Sequence, residues 1–166
     1  GDLDSLTVRR IFAKGTGYAL GPVRQRRLRL DQPLPDDVQA AMLEEQAKAH
    51  CDLLPPARLP PMVDVQRARD AALAESSLYA LTARGADSVV LITGAAHARR
   101  DRAVPAVLAQ IAPTVTVFSI ALQEGPAMPE ADTGAGKPFD AVLHTAAGPD
   151  VDHCAALSDR LRASTR

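Results

Sequence analysis

The sequence predicts an α/β fold in which a mainly parallel sheet is flanked by helices. Three observations predict it. The elements follow the order helix–strand–helix–strand–loop–strand–helix. Two short runs, Val89–Ile92 and Val115–Ile120, are mostly apolar and read as strands covered on both faces. A glycine turn after the first run, Gly94, is followed by His97, Arg99, Arg100 and Asp101, and ligands bind in loops at the carboxyl ends of such strands.

Residues 1–20 are weakly patterned. Asp4 or Ser5 is placed to cap a short helix through Phe12, broken by Gly15-Thr16-Gly17. Residues 23–30 carry four arginines without interleaved aromatics, which favours a solvated strand or loop face over a nucleic-acid patch. After Pro33 and Pro35, Asp36 or Asp37 caps a helix to about His50 with Val38, Ala41, Met42 and Ala49 as its apolar stripe. Leu54–Pro61 is a proline-rich linker, and Pro61 opens the longest helix, about 61–84. Met62, Val65, Ala68, Ala72 and Tyr79 share one side of it; Gln66, Asp70 and Ser77 share an adjacent side, and Gly85 stops it. A buried strand at about 88–93, a helix over Val104–Ile111 and a second buried strand over Val115–Ile120 follow. Residues 121–138 read as a long surface loop, Phe139–His144 as a third strand, and 152–163 as a final helix with Asp152 at its cap. No internal repeat is present, and residues 1–166 are read as one domain.

Composition narrows the function classes. The 166 residues are 46% hydrophobic but only 3% aromatic, with no Trp, so alanine, leucine and valine build the core. A net charge of −1 gives no overall attraction to nucleic acid. No apolar run approaches the ~18 residues of a membrane span, and no secretory signal is visible. There is no Gly-rich phosphate loop and no G-x-S-x-G nucleophile elbow.

The chemistry-capable residues cluster around His97. Imidazole binds metal, shuttles protons or hydrogen-bonds an anion. Arg99 and Arg100 suit carboxylates or phosphates; on a solvated loop they are ordinary surface groups. Gln66 and Asp70 lie four apart on one helix face. If that face meets the His97 loop, Asp70 orients the imidazole; otherwise both belong to a solvated charged face. Cys51 and Cys154 leave open two free thiols or one bridge. His50-Cys51 and His153-Cys154 do not match the usual zinc spacing, so a disulfide is the more economical reading of that pair of pairs.

Taken in order, these residues resemble one family, the ChaN-like haem-binding uptake proteins, of a superfamily shared with the Tiki/TraB proteases and erythromycin esterases. The landmarks are Pro33-Leu34, His50-Cys51 with Leu53-Leu-Pro55, Met62 with Gln66 and Arg69-Asp70, and Val89–Gly94 with His97-Ala-Arg99. Asp101, Val104-Pro105, Phe139-Asp140, Thr145 and Asp152-His-Cys154 complete the set, over roughly residues 20–157. The resemblance implies haem as cofactor and a role in bacterial iron uptake. It further implies a periplasmic or membrane-anchored lipoprotein whose anchor lies outside this chain, and a Cys51–Cys154 bridge.

The sequence also departs from the family. It contains no Gly-Glu pair, whereas the family opens on a strand ending in Gly-Glu-x-His. The chain is therefore expected to be an incomplete copy, the carboxyl-terminal two thirds, of a larger ChaN-like domain, with a homodimer as one way to complete its site. His97 is the expected haem or metal ligand, in preference to Tyr79; Arg99 or Arg100 meets the propionates, and Asp70 and Gln66 support the imidazole. The reading favours a haem binder over an enzyme. A metal- or base-assisted hydrolase and a structural fragment without a competent site are its rivals.

Overall fold

The computed structural model describes residues 2–125, 137–149 and 151–164. Helices dominate. They are α1 (Ser5–Leu20), α2 (Pro22–Arg27), α3 (Asp36–Ala49), α4 (Leu59–Ala83), α5 (Ala95–Ala98), α6 (Val104–Ile111) and α7 (His153–Ser164), with a short 3-10 turn at Pro56–Arg58. Among the described residues the sheet has two strands, β1 (Ile120–Glu124) and β2 (Ala141–Thr145). They run parallel, in register from Ile120 beside Ala141 to Glu124 beside Thr145. The α/β class and the parallel sense agree with expectation; a mainly parallel sheet does not.

The central element is α4. Asp70 through Ala74 are five consecutive buried residues, so this stretch is enclosed on every side. Its alanines let neighbours approach closely: Ala68 and Ala71 pack with Ile11 of α1 and with Leu28 and Leu30, while Leu73 and Ala74 pack with Val104 and Leu108 of α6. Pro60 and Pro61 sit in the first turn of α4, where the missing N–H groups cost nothing.

The amino-terminal helix is longer than expected. Asp4 caps it, accepting from the Thr7 N–H at 2.8 Å. Gly15, at φ +80°, kinks α1 without ending it. Gly17 lets α2 approach, since a Cβ there falls 2.8 Å from Gln25 Oε1. The arginine-rich segment 23–30 is not a solvated strand or loop. It forms α2 and the turn after it, burying Leu28 and Leu30, while Arg24 and Arg27 both pair with Glu75 of α4. In α3 neither aspartate caps: Pro35 precedes the helix, Met42 is buried, and Ala49 is exposed.

The largest departure is at 88–93, which is neither a strand nor buried. Val90 and Ile92 are 86% and 92% exposed, and the segment lies outside the two-stranded sheet. An apolar run supplies side chains for a strand, but a strand also requires partners for its backbone groups. The second strand starts later than expected, at Ile120, and is not covered on both faces. Ser119 and Ala121 face the helices, whereas Phe118, Ile120 and Leu122 are exposed. The third strand lies within two residues of its expected place. Of the loop expected over 121–138, residues 121–124 are strand, and 126–136 fall outside the described residues.

Cys51 and Cys154 are bonded to each other across 103 residues. The bridge joins the turn after α3 to α7, which Asp152 caps through the Ala155 N–H at 2.9 Å. Because α7 is exposed along most of its length, the bridge is its principal attachment. Reduction is therefore expected to raise amide exchange in α7 by more than tenfold and to leave α1, α4 and α6 protected. Equal loss of protection throughout the chain would contradict this.

Candidate functional site

His97 lies in α5, just after Gly94, and its backbone N–H donates to Gly94 O at 2.9 Å. Gly94 itself has φ −66° and open space where a Cβ would stand. Its glycine is thus not required for the turn that the sequence suggested. The short helix is held from behind. The Ser119 hydroxyl donates to Ala98 O, and Asp140 accepts from Ser119 N–H at 2.7 Å and from Arg100 Nη1 at 2.6 Å. Arg99 forms a two-pronged pair with Asp101 at 3.0 and 2.7 Å. Both arginines expected to meet a ligand are therefore committed to carboxylates of the scaffold, and neither lines the pocket described below.

The structure does bring Asp70, Gln66 and His97 together. His97 Nδ1–H donates to Asp70 Oδ1 at 2.6 Å. The Gln66 amide nitrogen sits 3.1 Å from Nδ1 and 3.4 Å from Nε2. Asp70 is 1% exposed. Burial pushes its carboxyl up to about 6, and the hydrogen bond from His97 opposes that rise. With the Nδ1 proton directed at Asp70, the Nε2 lone pair is the acceptor that the Gln66 amide N–H approaches, at 3.4 Å. Ser77, expected near this face, instead turns its hydroxyl to Leu73 O of its own helix at 2.9 Å.

Gln66 and His97 border a pocket of about 470 Å³ formed by α1, α3, α4 and the α5 turn, while Asp70 is buried behind His97 and does not line it. Val8, Phe12, Met62 and Val65 give it apolar walls; Gly94 to His97 close one side; Glu45, His50 and Arg69 also line it. Tyr79 is elsewhere. It is 58% exposed and borders a separate pocket of about 530 Å³ with Asp2, Thr7 and Glu75, roughly 13 Å along the helix from Asp70 at 1.5 Å per residue.

Sequence reasoning did not single out His50, Phe12 or Arg69 as site residues. Phe12 and His50 lie on helices whose packing against α4 creates the pocket, so no local spacing marks them. Arg69 carries a visible signal, standing beside Asp70, but its side chain turns to Asp2, with Nε 3.0 Å from Oδ2. Arg102 ties the loop before α6 to Glu45 of α3, which braces one wall.

Among the described residues no three His, Cys, Asp or Glu side chains gather to cage a metal ion. The donor set suits a ligand that carries its own equatorial donors and needs an imidazole, an apolar slot and a cation at the rim. Haem has those requirements, and a volume of about 470 Å³ is ordinary for a ligand pocket.

The chain matches no curated protein and no solved structure. One family does match, described as haem-binding uptake, Tiki superfamily, ChaN, over residues 1–108. That span contains α1 through most of α6 and every residue of the His97 pocket, whereas Phe139-Asp140, Thr145 and Asp152–Cys154 lie beyond it. The chain therefore belongs to the ChaN-like haem-binding uptake family of the Tiki superfamily.

Proposed function

We propose that this chain binds haem in the His97 pocket and serves bacterial iron uptake as a carrier, not as a catalyst. The observation that carries the reading is the His97–Asp70 pair set into an apolar pocket. Asp70 fixes the ring through Nδ1, and Nε2, now approached by the Gln66 amide at 3.4 Å, is the nitrogen that would hold iron. Val8, Phe12, Met62 and Val65 give the slot an apolar wall for a porphyrin face. Arg69 is the cation that lines the slot; like Arg99 and Arg100 it is paired with a carboxylate, here Asp2, which a propionate would have to displace. Bound haem would supply an iron that an imidazole nitrogen can ligate. The Cys51–Cys154 bridge suits an oxidising compartment such as the periplasm, and no helix among the described residues is long and apolar enough to cross a membrane.

Titration with ferric haem is expected to produce a shifted Soret band at one equivalent per chain. Gly94→Leu is expected to weaken binding at least tenfold, because a side chain there grows into the pocket. The same change is expected to leave the melting temperature within about 2 °C, since a Cβ at Gly94 meets no atom within 4 Å. An unshifted Soret band in the unmodified protein overturns the reading.

The Asp70–His97 hydrogen bond also supports a second reading, base-assisted hydrolysis. Asp70 holds the Nδ1 proton, and Nε2 accepts one from water. Ester or peptide cleavage that disappears in Asp70→Asn without haem binding favours this alternative.

A further inference from the structure

The pocket holds a second imidazole that the proposed function does not use. His50 stands at the end of α3 and lines the same cavity as His97. Its Nδ1 is 2.8 Å from Gln46 O, a backbone carbonyl. A carbonyl only accepts, so the proton sits on Nδ1 and the Nε2 lone pair is left over. His97 carries its proton on the same nitrogen, for the same kind of reason. Two imidazoles that line one cavity therefore carry their protons on Nδ1, the tautomer a metal ligand adopts, although the Gln66 amide at 3.4 Å from His97 Nε2 would have to give way to a metal.

The backbone under His50 is held firmly. His50 N–H donates to Ala47 O at 3.1 Å, Cys51 N–H to Lys48 O at 2.9 Å, and Asp52 N–H to Ala47 O at 2.9 Å. Cys51 and Asp52 both take positive φ, +57° and +54°, and the covalent bond to Cys154 fastens the turn. A ring carried on such a turn loses little freedom when it binds.

We infer that His50 is a second axial ligand, so that the site binds haem iron between two imidazole nitrogens, His50 Nε2 and His97 Nε2. This rests on the haem reading of the pocket. It excludes an open sixth position, and so favours holding haem over activating oxygen or peroxide.

Electron paramagnetic resonance and visible spectra of the ferric haem complex test it. The unmodified protein is expected to be low-spin and six-coordinate. His50→Ala is expected to keep a shifted Soret band but become high-spin, and about 10 mM imidazole, enough for a weak ligand to occupy its site, is expected to restore the low-spin spectrum. His50→Gln, which retains bulk and a hydrogen-bonding end, is expected to lose the low-spin signal equally and serves if the alanine variant does not fold. A low-spin spectrum that persists in both variants, or a high-spin complex of the unmodified protein, overturns the assignment of His50 and leaves the pocket reading intact. No Soret shift in the unmodified protein overturns both.

Discussion

His97→Ala is expected to lower unfolding free energy at pH 7.5 by about 3 kcal/mol, the size of loss when removing a hydrogen-bond donor leaves a buried charge uncompensated. Asp70 is almost wholly enclosed by α4 and its neighbours, and the His97 ring is what opposes the effect of burial on its carboxyl. Without that ring an ionised carboxylate remains in an apolar setting. The pH dependence has a definite sign. Burial raises the folded pKa of Asp70 from 3.8 to about 6. The fold therefore prefers the protonated acid, and that contribution is complete below about pH 4 and lost as pH rises through about 6. In His97→Ala the folded value moves higher still, so the defect shrinks when the pH is lowered from 7.5 to 5. Asp70→Asn removes the slope, and the double variant Asp70→Asn/His97→Ala recovers most of the loss. Urea melts of the four proteins at pH 5 and 7.5 measure this. A single variant within 0.5 kcal/mol of the parent at pH 7.5, about the size of an ordinary surface change, would contradict the burial argument.

Ile11→Ala is expected to cost about 3 kcal/mol, within the range for truncating a fully buried isoleucine. Ile11 is 1% exposed and packs with Leu28, Leu30, Ala68 and Ala71. With so few aromatics in the chain, this aliphatic contact is a main seam between α1 and α4. The effect should reach function as well. Val8 and Phe12, which flank Ile11 in α1, form part of the His97 pocket. Loosening α1 is therefore expected to raise haem dissociation about tenfold under conditions where the variant remains folded. By contrast, Leu6→Ala, at a position 55% exposed, is expected to change stability by less than about 0.5 kcal/mol. Equal effects at the two positions would show that Ile11 is not the seam.

The parts of this molecule legible in its sequence are those with local causes. Prolines and caps placed α3, α4, α6 and α7 within a few residues, and Asp152 caps α7 as its position suggested. The four-residue spacing of Gln66 and Asp70 put both on the face that meets His97. What failed had a tertiary cause. The arginines of 23–30 masked Leu28 and Leu30, whose burial depends on α1 and α4. The run at 88–93 has a strand's side chains but stands outside the sheet, and backbone pairing cannot be read from apolar content. Tyr79, a phenolic candidate for haem iron, shares a helical side with Met62 but lies several turns away and borders the separate pocket with Asp2, Thr7 and Glu75. His50 became visible only when α3 closed the pocket.

The bond between Cys51 and Cys154 also sets an order of events. Chains emerge amino terminus first, so residue 51 must wait with an unpaired thiol while a hundred further residues appear and α4 and α6 find their places. Closure of this covalent ring is then a late step, and its presence certifies that the final helix has arrived. Molecules that carry blocked or mispaired sulfur at position 51 would mark chains interrupted before that step.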